Sequence, residues 1–246
     1  MNIILVTSDV TYVPDNYNDV LTHILAHESA HIAGVVLVKI NILPLIGKVM
    51  FLYLTGCHQL ATTLLRNTLN ALAKSKEALL QRNKIPYLQV KDVNDVRTIA
   101  WLQKMQPEMV INLRARCIYN QAVLDIPKLA CVNLHHGILP EQRGLFCDLY
   151  AIAEGSPAGF SIHKMTSSVD QGEIYYQEVV ASNTHYMRYL QAVADKEKQA
   201  ITTIIATCSA KAQLPKGAVK TSSKPKVTST PNLKTIQLFQ KKGIVL

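Results

Sequence analysis

Apolar residues recur along this chain in short, dense runs separated by stretches that are apolar at every third or fourth position. Asn2 to Thr7, Ile32 to Val38, Ile85 to Val90, Met109 to Leu113 and Ala130 to His135 read as buried strands. Between them Val20, Leu21, Ile24 and Leu25, then Asp95 to Lys104 and Ile118 to Asp125, have helical spacing. Ala158 to Met165 and Glu173 to Val180 continue as strands, and Met187 to Cys208 as a long helix with Leu190, Val193, Ile201 and Ile205 on one face. Strands alternating with helices at this spacing predict an α/β fold: a Rossmann-like, mostly parallel sheet with helices on both faces, joined by right-handed crossovers.

One interval does not fit a simple crossover. Ile32 to Leu54 is apolar enough for a membrane span, but Lys39, Asn41, Pro44 and Lys48 interrupt it, and a charge at mid-span costs about 2.5 to 3.5 kcal/mol. No transmembrane segment is expected; a turn at Pro44 followed by a helical insertion over about 45–81 is. Its apolar residues Met50, Phe51, Leu54, Leu60 and Leu64 are expected either to pack on the sheet, the default, or to contact a lipid-like substrate or a partner chain. The main domain is assigned to 1–208 and a basic linker with a short terminal helix to 209–246. There Thr230-Pro231 is the expected helix start, Leu233, Ile236 and Phe239 the apolar stripe, and Gly243 the stop.

Charge sharpens that division. Of 26 Lys and Arg against 17 Asp and Glu, nine lysines lie at or beyond Lys198 with no acid among them, leaving the rest balanced at 17 against 17. The basic tail lacks clustered arginines and interleaved aromatics, so it reads as a solvated linker and no specific nucleic-acid partner is expected. The five cysteines are odd in number and show no C-x-x-C spacing, which excludes a disulfide framework and a thiolate zinc site and fits a reducing, cytoplasmic setting. The first residues read directly as a strand without a basic n-region, so no signal peptide is expected.

Three motifs bear on chemistry. The loop after the first strand, VTYVPDNYND, holds no glycine and so no phosphate cradle of the glycine-rich kind. His27-Glu28-Ser29-Ala30-His31 matches H-E-x-x-H, the pattern of a zinc metallopeptidase, but Leu37 stands where a third histidine would be and a strand follows His31, so no metal site is assigned. Asn133 and His135 stand two apart at the end of a strand, on one face, before His136, Gly137, Pro140 and Arg143-Gly144. An amide beside an imidazole at a strand's carboxyl end is a place for reactive groups in α/β proteins.

Asn133-Leu134-His135 with Leu139-Pro140 and Arg143-Gly144, then Ser161-Ile162-His163-Lys164-Met165 and Val169-Asp170-Gln171-Gly172-Glu173-Ile174, resembles the formyltransferase family. That family uses 10-formyltetrahydrofolate and includes glycinamide ribonucleotide, methionyl-tRNA and sugar N-formyltransferases. The resemblance implies a formyltransferase-type fold, Asn133, His135 and Asp170 as the catalytic trio, and 10-formyltetrahydrofolate as donor substrate without a metal. It places the folate against Leu88, Asn112, Leu113, Ser168, Val169 and Gly172. It implies N-formylation of a small-molecule primary amine. The glycine-free first loop argues against a glycinamide ribonucleotide site, and the short C-terminal segment against a tRNA-binding barrel, which leaves an amino sugar or another small amine. Oligomeric state stays open, a homodimer being one option.

The sequence departs from the family pattern where Gln142 replaces an aromatic before Arg-Gly and where Arg114 and Arg116 follow Asn112 in place of small or apolar residues. These arginines support the alternative of an inactive, folate- or partner-binding member. His136 and His163 are assigned supporting roles, and Arg143 either anion binding or loop anchoring.

Overall fold

The computed structural model describes residues 1–222 and 224–246. In chain order the elements are β1 (Ile3–Ser8), α1 (Asn18–Glu28), β2 (Ile32–Val38), α2 (Ile42–Leu54), α3 (His58–Leu72), α4 (Ser75–Arg82), β3 (Tyr87–Val90), α5 (Val96–Met105), β4 (Met109–Leu113), α6 (Gln121–Leu124), β5 (Ala130–His135), β6 (Gln142–Gly144), α7 (Cys147–Glu154), β7 (Ala158–Lys164), β8 (Ile174–Val180), α8 (Tyr186–Lys211), β9 (Lys226–Thr228) and α9 (Leu233–Lys241). The main sheet runs β3-β2-β1-β4-β5-β7-β8. Its first five strands are parallel, and β7 and β8 add antiparallel at the far edge. Strand order reverses between β1 and β4, where open α/β sheets form their ligand crevice.

Both faces are covered. Ile3 and Leu5 of β1 join Val132 and Leu134 of β5 in one core with Leu21 and Ile24 of α1 and Tyr189, Leu190 and Val193 of α8. Ile4, Val6, Val110 and Cys131 face the other way, onto Leu102 of α5 and Val123 of α6. Period two thus assigns every strand residue to a layer. Truncating one such buried leucine or isoleucine to alanine costs about 2 to 5 kcal/mol.

Four expectations need correction. Pro44 makes no turn: it lies in the first turn of α2, whose cap is Asn41, with Oδ1 accepting from the Leu43 amide at 3.3 Å. Proline is tolerated there because its missing N–H has no helical partner anyway. The helical insertion forms, but α2 packs on α3 rather than on the sheet. Met50, Phe51 and Leu54 are therefore exposed, while Leu60 and Leu64 are buried as expected. The helix expected over 118–125 shortens to α6 because Asn120 caps it, accepting from the Val123 amide at 3.0 Å. The terminal helix starts not at Thr230-Pro231 but after Asn232, whose Oδ1 accepts from both the amide and the hydroxyl of Thr235; an Asx side chain satisfies those orphan donors.

The basic segment also does more than link. Ala218 bridges to Ile174 at the edge of β8, and β9 pairs in parallel with β6 in the loop between β5 and α7. Among the described residues no helix is long and apolar enough to cross a membrane.

Candidate active site

The site grows from a row of three residues set by strand register. Asn112 on β4 lies opposite Asn133 on β5, and Asn133 lies opposite His163 on β7. Their side chains share a face and connect: Asn112 Nδ2 donates to Asn133 Oδ1 at 2.8 Å, and Asn133 Nδ2 donates to His163 Nε2 at 3.2 Å. Asn112 is fixed in turn by the Ala115 carbonyl and the Tyr119 hydroxyl. The orientation of the Asn133 amide is therefore set from both sides, and one amide hydrogen stays uncommitted.

His135 follows on the same face of β5. Its Nε2 donates to the Gln142 carbonyl at 2.8 Å, which fixes the tautomer and leaves Nδ1 as the free base nitrogen, 3.6 Å from Asp170 Oδ1. Asp170 Oδ2 accepts from the Gly144 amide at 2.9 Å, and Oδ1 lies 3.7 Å from His163 Nε2. Asp170 holds a left-handed φ of 56°, a cost for a non-glycine residue that a site can impose. Asn133, His135, His163 and Asp170 thus converge, with His135 and Asp170 only 6% and 8% exposed.

Burial lowers the His135 pKa, against the opposing pull of Asp170 and the Gln142 carbonyl, so the imidazole is a neutral base near pH 7. His163 is pushed down to about 4 by burial and by neighbouring His135. Its Nδ1 donates to the Lys164 carbonyl at 2.9 Å, so its Nε2 is a permanent acceptor for Asn133. The loop between β5 and α7 is built to hold this geometry. A Cβ at Gly137 would lie 2.6 Å from His135 Nε2 and 2.8 Å from the Gln142 carbonyl, wedging apart the hydrogen bond that orients the base. Gln142 ties the loop down through the Ile138 amide and the Pro157 carbonyl, and Arg143 anchors it through Nε, which donates to the Pro140 carbonyl at 3.1 Å.

His136 points to the opposite face. Its Nδ1 donates to Asp148 at 3.0 Å and its Nε2 to Glu197 at 2.5 Å, and Tyr186 and Tyr17 donate to the same two carboxylates. Burial and the Arg114 charge push the His136 pKa down, but the two carboxylates outweigh them and it is raised. Arg114 faces this cluster, while Arg116 stacks on Tyr12 and Phe146 at 5.3 and 5.0 Å. Arg116 is thus engaged with these rings, and the Arg114 charge bears on the Asp148–His136–Glu197 cluster on the opposite face.

Of the residues assigned to folate, Asn112 touches the trio, and Ser168 and Val169 lead into Asp170 with Val169 half exposed. The Leu113 side chain is buried in the core, leaving its main chain. Leu88 is on edge strand β3, three strand spacings or about 14 Å from β4. Gly172 serves packing, since a Cβ there would collide with the Lys164 carbonyl. His27 and His31 do not converge: α1 ends at Glu28, His27 is bonded to the His23 carbonyl, and His31 meets the Met1 amine. Among the described residues no group of three or more His, Cys, Asp or Glu is placed to hold a metal.

His163, assigned a supporting role, lies between Asn133 and Asp170. The available signal was pairing: once β7 is set against β5 in this register, His163 must face Asn133. The main-chain role of the Gln142 carbonyl leaves no side-chain trace.

The family model described as Formyl transferase matches residues 65–205, more than half of the chain. A bifunctional polymyxin resistance protein, ArnA, of Wigglesworthia glossinidia brevipalpis is 33% identical over 97 residues, 39% of this chain and 15% of that protein. A methionyl-tRNA formyltransferase of Clostridium acetobutylicum is 34% identical over 112 residues, 45% of this chain and 36% of that protein. The matched segment thus spans little more than a third of these relatives at most. Among solved structures, a sugar N-formyltransferase from Shewanella sp FDAARGOS_354 superposes with a TM-score of 0.58 at 18% identity, covering 93% of this chain and 76% of that one. Phosphoribosylglycinamide formyltransferase from Anaplasma phagocytophilum gives 0.58 at 16%, covering 84% and 87%. These superpositions bear on the fold, which is the same Rossmann-like sheet, and with a family match over more than half its length the chain belongs to the formyl transferase family.

Proposed function

We propose that this protein transfers a formyl group from 10-formyltetrahydrofolate to the primary amine of a small molecule, an amino sugar being the first acceptor class to test. The observation that carries the reading is the meeting of Asn133, His135 and Asp170 on one face at the carboxyl end of β5, with His163 between Asn133 and Asp170. The donor set suits acyl transfer: an oriented amide N–H, a neutral imidazole nitrogen and a carboxylate. The acceptor class rests on the glycine-free loop after β1.

When bound, the folate supplies the electrophilic formyl carbon on N10. Asn133 offers its uncommitted amide hydrogen where the formyl oxygen gains charge as the amine adds, the kind of fixed donor whose removal costs about 10²- to 10³-fold. His135 Nδ1 takes the proton that the attacking amine loses, and returns one to the departing nitrogen so that the formamide and tetrahydrofolate leave with protons balanced. The Gln142 carbonyl holds the imidazole, and Asp170 stabilises its charged form. Asn112 and the main chain of Leu113, with Ser168 and Val169, form the folate side; Gly172 lies two residues beyond Asp170, and Leu88 is further out on edge strand β3.

The test is to supply 10-formyltetrahydrofolate with a panel of nucleotide-linked amino sugars and other small amines, and to follow tetrahydrofolate release and formamide formation. Turnover that falls at least about 100-fold in both Asn133→Ala and His135→Ala supports the reading. Folate binding without turnover on any amine supports the inactive, ligand-binding alternative, and absence of folate binding overturns both.

A further inference from the structure

The three residues of β6 touch both halves of the catalytic pair through main-chain atoms: the Gln142 carbonyl accepts from His135 Nε2, and the Gly144 amide donates to Asp170 Oδ2. The opposite edge of β6 is paired by β9, more than eighty residues later in the chain. Lys226 N donates to the Glu141 carbonyl at 2.7 Å and Leu145 N to the Thr228 carbonyl at 3.0 Å, bracketing β6 at both ends. Thr228 adds side-chain contacts. Its Oγ1 donates to the Leu145 carbonyl at 2.8 Å and lies 3.3 Å from the Arg143 carbonyl and from Cys147 Sγ. Gly144 has a left-handed φ of 96°, and a Cβ there would strike the Thr228 carbonyl, so the two backbones approach as closely as only glycine permits.

We propose that β9 is a strap that sets the His135–Asp170 geometry and that Thr228 is a positioning residue for formyl transfer. This rests on the function proposed above. A three-residue strand on a loop has little stability of its own, so β6 needs a partner to hold its carbonyl and amide at fixed points, and the C-terminal segment supplies it. Thr228 touches no reacting atom. It acts through Gly144 and Leu145 on Asp170, and through Asp170 on His135.

The experiment compares Thr228→Val, which keeps the β-branched shape and removes the hydroxyl, with Thr228→Ser, which keeps the hydroxyl, each in the full chain. Two readouts do not require activity: NMR titration of the His135 ring protons, with His163, His136, Asp148 and Cys147 as the other titratable neighbours, and amide exchange at Gly144. In Thr228→Val, Gly144 exchange rises by about tenfold or more. The His135 midpoint falls as Asp170 loosens, by about half a pH unit or more. With an amine that turns over, kcat falls about tenfold while KM for the folate stays within about twofold, and Thr228→Ser restores both readouts. Should Thr228→Val leave Gly144 exchange and the His135 midpoint unchanged, the strap is overturned. If wild-type protein turns over no amine, the function fails, while exchange and titration still decide the strap.

Discussion

His135 Nδ1 and Asp170 Oδ1 face each other at 3.6 Å, beyond hydrogen-bond reach, with the imidazole hydrogen already spent on the Gln142 carbonyl. Two lone-pair-bearing atoms aimed at one gap leave room for a hydrogen supplied from outside, as an amine N–H would supply it.

Asp170→Asn is therefore expected to lower kcat/KM by about 10²-fold or more, the scale of a positioned acid–base pair. Burial lowers the His135 pKa and Asp170 raises it, so removing the carboxylate lowers it further. The acid limb of the rate profile, which reports protonation of the base, moves to lower pH in the variant. A profile whose acid limb stays in place would mean that Asp170 does not act on His135.

The limits of sequence reading can be located in single residues. Asn133 and His135 are legible because a strand has period two, and every main strand except short β6 and β9 announces itself by its apolar run. Asp170 is visible only through the spacing of a motif, because neither sequence distance nor composition says that the loop after β7 folds back over β5. His163 depends on register between antiparallel neighbours. Thr228 depends on a pairing of two three-residue strands across half of the fold, whose information lies in main-chain hydrogen bonds. The outward face of α2 was misjudged because apolar content reports that burial is favourable, not that a partner element is within reach.

His136 provides a second, independent test of the buried electrostatics. Its folded pKa is raised, so its contribution to stability is complete below the unfolded value near 6.5 and is lost as pH rises through the folded one. The Asp148 and Glu197 values are lowered, because the His136 hydrogen bonds and charge, with help from Arg114, outweigh the opposing effect of burial. Their contributions are present above ordinary carboxylate pKa values and fade as pH falls through the folded ones. His136→Leu strands two buried carboxylates, and a loss of about 3 to 5 kcal/mol is expected. Urea midpoints measured from pH 5 to 9 check this: wild type should lose stability on the alkaline side as His136 deprotonates, and that decline should be absent in the variant.

The exposure of α2 makes the opposite prediction. Met50 is 61% exposed and Leu54 79%, so Met50→Glu with Leu54→Glu removes almost no buried area. Stability should change by less than about 0.5 kcal/mol per site, as at other surface positions. Thermal melts decide the matter, and a drop of several degrees would show that this face is covered in solution.

Cys147 is the residue most easily mistaken for a nucleophile. It opens α7, and its Sγ lies 3.7 Å from His135 Nε2, the pairing on which thiol acyl transfer is built. Two facts oppose that role. The His135 Nε2 hydrogen is held by the Gln142 carbonyl, so that nitrogen cannot take the thiol proton. Burial pushes the Cys147 pKa up to about 12, against the weaker pull of the Thr228 hydroxyl, which leaves a thiolate fraction of about one in ten thousand at pH 8. Native protein should show no fast-reacting thiol with an aromatic disulfide at pH 8, since the values of Cys117 and Cys131 are also about 12 and burial raises those of Cys57 and Cys208. Cys147→Ala should keep formyl transfer within about threefold of wild type, because no covalent step passes through sulfur. Loss of all turnover in a folded Cys147→Ala protein, together with one rapidly modified thiol in the wild type, would instead place a formyl thioester on the pathway.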